Sequence, residues 1–416
     1  MILQKSKSEP WLQRRLLGLV ESVTPATPDL SGSRISLVLD CVDEVAYLAG
    51  SENDRENLAI IRISSTPERL LELFKLGRLP AEGDWLYVQL SLIAGNPQAW
   101  ALPASTDYEG PAVRTNVEQL RFVESERSGP PGGSSARHRS ISSVALFEVF
   151  NPPEPPSKGA GDGLLQLHAL FAQVKGGELH PRIMDVGQAS CAALHVQRDE
   201  ESRILGFFDV GAPLWFNRPS CPKLPSIPVP KSGFVVLSHW DFDHYAMALP
   251  KDSPLRKLKW FAPDQAVGPN CRAFRRSLGA SLAYLADDKI DAGVVTLYRG
   301  LGASKGAPDN RNATGYVLRI DKDEGDQLLT GDAGYEFIPL DALKRVTALT
   351  VPHHGGKGSG APPPAPEAGG RAVASYGTPN KYKHPDEAFL DAHLGQGWIV
   401  WRTAKHAPIG RGSRWL

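Results

Sequence analysis

The feature that most constrains this chain is the run Ser238-His239-Trp240-Asp241-Phe242-Asp243-His244, which directly follows the apolar stretch Phe234-Val235-Val236-Leu237. A strand that ends there presents two histidines and two carboxylates on one loop, which is what a metal site needs. His239 and Asp241 alternate with Trp240, so both can point the same way, while Asp243 and His244 can turn toward a second ion. The short spacing lets the loop itself gather the ligands, so little chain entropy opposes the chelate.

The 416 residues are 41% hydrophobic and 22% charged, the composition of a globular chain of about two domains. Basic and acidic residues balance at 46 each, so global electrostatics predicts no polyanion binding. Locally, Lys251, Arg256, Lys257, Lys259, Arg272, Arg275 and Arg276 outnumber the two nearby aspartates. That segment could meet phosphates, although a solvated helix face is the commoner reading. Cys41, Cys191, Cys221 and Cys271 show no Cys-x-x-Cys spacing, which argues against a thiolate zinc site or a disulfide framework and for a reducing compartment. No apolar stretch suits a signal peptide or a membrane span, so the expectation is a cytoplasmic protein without a membrane segment.

Residues 1–123 read as a small β-rich domain. Strand-like runs fall at Leu16–Val23, Ile35–Cys41, Leu58–Ile63, Trp85–Leu92 and Ala99–Leu102. A helix lies between the third and fourth, with Ser65 and Glu68 as a capping-box pair, Pro67 early and Gly77 at its end. Three strands, a helix and two strands is the element order of an OB-type barrel. Trp85 and Tyr87 share a strand face and could stack bases, although core packing is the preferred reading. Residues 124–163 are rich in Gly, Pro and Ser and read as a linker, interrupted by an apolar piece, Val144–Phe150, that could pair with a sheet. Residues 164–416 alternate strand-like and helical runs, the pattern of an α/β layered domain. Within it, Phe274, Leu278, Leu282 and Leu285 follow a helical spacing over 272–285.

Further candidates recur where apolar runs end. Asp185 follows Ile183-Met184, Asp332 follows Leu328-Leu329-Thr330-Gly331, His353-His354 follow Leu349-Thr350-Val351-Pro352, and His384 stands in Lys383-His384-Pro385. Ligands at the ends of successive strands can converge on one sheet edge. Each alone reads as a turn or a surface residue; together and in this order they read as a site. His384, beside Lys381 and Lys383, could donate a proton to a leaving oxygen or bind a phosphate.

The series resembles the metallo-β-lactamase superfamily, most closely the branch like the hydrolase domain of the competence protein ComEC. The matching segments are Asp185–Gln188, Ser238–His244, Asn312-Ala313-Thr314, Leu328–Asp332, Val351–Gly355 and Asn380–Pro385, within roughly residues 165 to 410. The resemblance implies an αββα sandwich behind the β-rich, OB-like domain and a site for two divalent ions, Mn²⁺ or Zn²⁺. His239 and Asp241 would serve one ion and Asp243 and His244 the other, with Asp332 bridging and His354 completing the second. His353 could exchange roles with His354. Asn312 or Thr314 lies where other members place a further histidine, and could touch metal or substrate. Asp243 and His384 are the residues expected to carry catalysis, with Lys381 and Lys383 as substrate contacts. The chain departs from the branch at Ala189-Ser190 and Tyr245-Ala246, where Gly-Asp and Gly-Gly are usual.

Two such ions clamp the attacking and leaving oxygens of an in-line displacement and lower the pKa of a shared water. Asp241, where many members carry His, makes the first position harder and shifts the preference toward Mn²⁺ or Mg²⁺. The expected function is therefore a metal-dependent phosphodiesterase or nuclease acting on DNA or RNA. The alternatives are a hydrolase of a small nucleotide, thioester or lactone, and a non-catalytic regulatory subunit on the same scaffold.

Overall fold

Six strands with aliphatic inward positions close into a barrel. They are β1 (Arg15–Thr24), β2 (Ile35–Asp43), β3 (Leu58–Ser65), β4 (Trp85–Ser91), β5 (Gln98–Pro103) and β6 (Val113–Phe122), in the order β1-β2-β3-β5-β6-β4. β4 returns antiparallel to β1, with Val88 opposite Leu16. Leu16, Val20, Leu37, Leu39, Ile61, Ile63, Leu86 and Val88 fill the interior. Closure leaves no free strand edge. The computed structural model describes residues 11, 13–24, 33–94, 96–123, 143–150, 160–222, 227–307, 310–358, 360–406 and 408–416. Most of the expected linker, 124–163, lies outside them.

Three details of the barrel differ from the sequence reading. A sixth strand, β6, is present; its outward Arg114, Asn116, Glu118 and Arg121 leave too few apolar positions to mark it as a strand. The helix Pro67–Phe74 is capped by Thr66, whose hydroxyl accepts from Arg69 N, and ends at the left-handed Lys75 before Gly77 is reached. The piece containing Val144–Phe150 is a helix, Ser143–Phe150, not a strand. Its Leu146, Val149 and Phe150 pack over Trp85 and Tyr87, and the Phe150 ring stacks on Trp85 at a centroid distance of 5.5 Å. Both aromatics are buried, so their faces are covered by protein and do not stack bases.

The chain divides into two compact units, Met1–Pro155 with Ala266–Ser277, and Pro156–Gln265 with Leu278–Leu416. The sequence reading keeps 164–416 together, whereas Ala266–Ser277 packs with the barrel. Asn270 is the reason. Its Nδ2 donates to Asp40 Oδ1 (2.5 Å), to Cys41 O and to Ala59 O, and its Oδ1 accepts from the Tyr108 hydroxyl. Asp40 is fully buried and also accepts from the backbone N–H groups of Asn270 and Cys271. A buried carboxylate needs such donors, and this segment supplies them.

The second unit holds two seven-stranded sheets. The first contains β7 (Glu178–Ile183), β8 (Cys191–Arg198), β9 (Glu201–Val210), β10 (Phe234–Val236), β11 (Lys259–Pro263), β12 (Leu282–Leu285) and the C-terminal β20 (Arg414–Trp415), in the order β12-β11-β10-β9-β8-β7-β20. The second runs in sequence order through β13 (Lys289–Asp291), β14 (Val295–Arg299), β15 (Tyr316–Ile320), β16 (Asp326–Leu329), β17 (Val346–Thr350), β18 (Gly370–Ala374) and β19 (Trp398–Arg402). One hydrophobic cluster joins them, with Phe208, Phe234 and Val236 from the first and Leu297, Leu318, Leu329 and Val373 from the second. The helix Ala160–Phe171 adds Leu167 and Phe171, and the helix Glu387–Gly395 sets Phe389 and Leu390 beside Trp398 in another cluster of the second sheet. The helical spacing over 272–285 is broken: the helix Pro269–Leu278 stops, and Leu282–Leu285 pairs parallel with β11. β9 to β12 are parallel neighbours, as are β16 to β19. Parallel strands end on the same side, so the loops after β9, β10, β16, β17 and β18 can meet at one edge of their sheets.

Candidate metal centre

β10 is a three-residue strand buried along its whole length, and the chain leaves it through Leu237 and Ser238 into the ligand loop. Asp243 and His244 lie on a short helix, Phe242–Tyr245. Its position is set by backbone: Ser190 N donates to Asp243 O (3.0 Å) and Gly211 N to Ser190 O (2.7 Å). A Cβ at Gly211 would stand 1.6 Å from Asp243 O, so a side chain there is incompatible with this turn.

Three histidines point their Nε2 atoms into the centre. Asp209, fully buried near the end of β9, accepts from Ser238 N (2.7 Å), from the Ser238 hydroxyl (2.8 Å) and from His244 Nδ1 (2.8 Å). Because the Ser238 proton goes to Asp209, its oxygen is left to accept from His239 Nδ1 at 2.9 Å. His354 Nδ1 donates to the Ser375 carbonyl at 3.1 Å. All three Nε2 atoms are buried and make no hydrogen bond. Each nevertheless lies close to a carboxylate oxygen: His239 to Asp241 (3.3 Å), His244 to Asp332 (3.2 Å) and His354 to Asp243 (3.4 Å). Two ligand atoms each about 2.1 Å from one tetrahedral ion stand roughly 3.4 Å apart, so these spacings fit shared cations. Ligand atoms of His239, His244 and Asp332 lie within 4.8 Å of one another, as do those of Asp243, His244 and His354.

His244 therefore stands in both groups, and Asp332 reaches His354 as well, at 3.7 Å. Burial opposes charge on His244, but Asp332 and Asp209 outweigh it and raise its pKa well above the usual range. Burial likewise opposes ionisation of Asp332, and His244 and then His354 hold it well below the usual carboxylate range. The pairing favours cationic charge held between these carboxylates.

Asp241 is placed differently. Its Oδ2 faces His239 while its Oδ1 lies 3.0 Å from Arg311 Nε, and Arg311 also donates to Trp240 O. Arg311 opens the short helix Arg311–Thr314, which Asn310 caps by accepting from Ala313 N. The Thr314 hydroxyl donates to Asn310 O and accepts from Gln265 Nε2, so it braces this helix. Asn312 sits partly buried in the same turn.

His353 and His354 both adopt left-handed backbone, with φ of 52° and 56°, followed by Gly355 at 72°. Two consecutive non-glycine residues in that region are held only by their surroundings. His353 is the more exposed of the pair, with Nε2 3.9 Å from Asp332. Its ring meets His384 edge-on at 5.2 Å. His384 Nδ1 is 3.0 Å from Gln188 Nε2, a donor, which leaves the ring proton on Nε2. Burial, then His353 and His354, push the His384 pKa down to about 3, so the ring is neutral. Lys381 and Lys383 are exposed on either side of Tyr382.

Three further groups have structural duties. Asp185 is gripped in bidentate fashion by Arg411 (2.6 and 2.7 Å). Arg256 and Lys259 donate to backbone carbonyls, and Arg275 is buried, so much of the basic segment 251–276 serves the fold. Sequence reasoning missed Asp209 and Arg311. Asp209 has a signal, since Phe207-Phe208-Asp209-Val210-Gly211 is another carboxylate at the end of an apolar run.

No protein-family model and no curated protein sequence matches this chain. Among solved structures, it is similar to a metal-dependent hydrolase of the beta-lactamase superfamily, at 15% identity and a TM-score of 0.33 over 54% of this chain and 96% of that one. It is also similar to the metallo-beta-lactamase fold protein YhfI from Bacillus subtilis, at 14% identity and a TM-score of 0.32 over 57% and 100% of the two chains. A third similarity is to a mutant form of the CmlA beta-hydroxylase, at 13% identity and a TM-score of 0.34 over 77% and 69%.

Proposed function

We propose that this chain is a metal-dependent hydrolase with a metallo-β-lactamase αββα sandwich and an OB-like front domain, cleaving phosphodiester bonds in DNA or RNA. The observation that carries the proposal is the set of three buried Nε2 atoms, each anchored through Nδ1 and each within 3.2–3.4 Å of a carboxylate oxygen. We assign Asp243, His244, His354 and Asp332 to one divalent ion, and His239 and Asp241 with Asp332 to a second, more weakly held because Arg311 already engages Asp241. The donor set of imidazoles and carboxylates without thiolate suits Mn²⁺ or Zn²⁺, and its three carboxylates favour the harder ion. Bound divalent cations supply Lewis acidity and water activation at neutral pH.

The chain's own residues do the rest. Asp209 and the Ser238 hydroxyl hold the His239 and His244 rings in one tautomer. Asp332 spans His244 and His354. Gln188 fixes the His384 tautomer with the proton on Nε2, so the neutral ring serves as a hydrogen-bond donor to a substrate oxygen and not as the acid that the sequence suggests. Lys381 and Lys383 offer charge to a phosphate backbone. The carboxylate-rich donor set supports the phosphodiester reading over a thioester or lactone. Among the described residues, no helix is long and apolar enough to cross a membrane.

The test is degradation of single- and double-stranded DNA and RNA with Mn²⁺, comparing wild type with Asp243→Ala and His354→Ala. Wild type is expected to degrade at least one polymer and each variant to lose at least about 100-fold in rate. Equal inertness of all three proteins on every polymer overturns the nuclease reading.

A further inference from the structure

On the outer face of the barrel, register lines up a cation, an aromatic ring and a cation across three adjacent strands. Arg62 on β3 stands opposite Trp100 on β5, and Trp100 stands opposite Arg114 on β6. The row beside it is polar, with Ser64 opposite Gln98 and Gln98 opposite Asn116. Ala99 and Ala101 point into the core, so Trp100 between them must point out, and it is only partly buried. The Arg62 guanidinium lies 5.4 Å from its ring centroid.

This face opens into a cleft of about 790 Å³. Its lining includes Arg34, Arg69 and Arg114 and, among the described residues, contains no Asp or Glu. In a chain whose charges balance overall, three guanidinium groups around a cleft with no carboxylate among its described lining residues mark a place for a polyanion. The ring makes the choice among polyanions. A duplex keeps its bases stacked inside and offers Trp100 nothing to stack on, and an acidic peptide needs no aromatic platform. An unpaired strand presents a phosphate backbone to arginine, base faces to tryptophan and base edges to Asn and Gln side chains.

We propose that the cleft around Trp100 and Arg114 binds single-stranded nucleic acid. The identification of that strand as substrate rests on the nuclease reading above; the binding itself does not. This site replaces the Trp85–Tyr87 pair, which the helix Ser143–Phe150 covers.

The experiment is fluorescence anisotropy of a labelled oligothymidylate of about a dozen nucleotides with the full chain in EDTA, which prevents cleavage. Trp100→Ala is expected to weaken binding about tenfold or more, and Trp100→Phe to retain most of it. Arg114→Ala is expected to lower the salt dependence, the slope of log K against log salt, by roughly 0.7. Unchanged melting temperatures establish that the variants fold. Binding unaffected by Trp100→Ala and Arg114→Ala overturns the proposal, as does equal affinity for a duplex or for a polyglutamate peptide of the same charge. The two readings fail separately. A wild type that cleaves strands but binds them independently of Trp100 and Arg114 sinks only the cleft. Trp100-dependent binding by a protein that cleaves nothing sinks only the nuclease.

Discussion

Asp209 shows how a residue that meets no ligand governs those that would. Its carboxylate accepts from the Ser238 hydroxyl and from His244 Nδ1, so both His239 and His244 turn Nε2 inward. Asp209→Ala is expected to weaken Mn²⁺ binding by roughly 10- to 100-fold, read by metal titration of the purified protein, and an unchanged affinity would refute the role. Arg311 acts in the opposite sense. Its guanidinium 3.0 Å from Asp241 competes with a cation for that oxygen. Arg311→Ala is expected to tighten the weaker Mn²⁺ equivalent about tenfold, with the stronger one unchanged. The stoichiometry and the two affinities come from isothermal titration calorimetry. At this scale the sequence was informative about residue types. His239, Asp241, Asp243, His244, Asp332 and His354 were all nameable from their places after apolar runs. The partner of each was not, because a hydrogen bond such as Asp209 to His244 links positions 35 residues apart.

Elements fix how closely those residues can approach. Gly211 follows β9 without a side chain because Asp243 O occupies the space a Cβ would need. Gly211→Ala is expected to displace the Asp243 turn, destabilising the second unit by about 1–3 kcal/mol in urea unfolding and reducing metal content. Native stability and native metal content together would show that the contact is dispensable. The limits of sequence reading are visible in the same elements. Long alternating runs such as Ile35–Asp43 and Leu58–Ser65 are legible because half their positions must be apolar. β6 escaped because its outward positions are charged or polar, and Leu282–Leu285 was read as helix because four apolar positions fit two periodicities. Val144–Phe150 shows the same ambiguity in reverse, since a short apolar run looks alike as strand or helix until something covers it.

At the scale of the whole molecule, the chain leaves the second unit after Gln265 and returns at Leu278. The excursion ends the isolation of Asp40, which would otherwise be a buried carboxylate without donors from this segment. Asn270→Ala removes the two donor functions of the amide and leaves the Tyr108 hydroxyl without its acceptor. The expected cost is about 2–3 kcal/mol in the stability of the first unit, followed by urea denaturation. A cost under about 0.5 kcal/mol would mean that backbone donors suffice. The overall charge balance says nothing about the arginine-lined cleft at Trp100 and Arg114, because net charge sums over the chain whereas binding responds to the local field.

By itself the sequence determined which residues can ligate a metal and in what order they appear, because strand ends and short loops are local features that leave marks in adjacent residues. It also determined that a β-rich segment precedes an α/β one, since the two periodicities differ along the chain. Only the tertiary structure decided that Asp241 is shared with Arg311, that Trp85 and Tyr87 are covered while Trp100 is open, and that Ala266–Ser277 belongs with the barrel. Each of these depends on which distant segment takes a given space, and burial and pairing are settled by packing that no local pattern encodes.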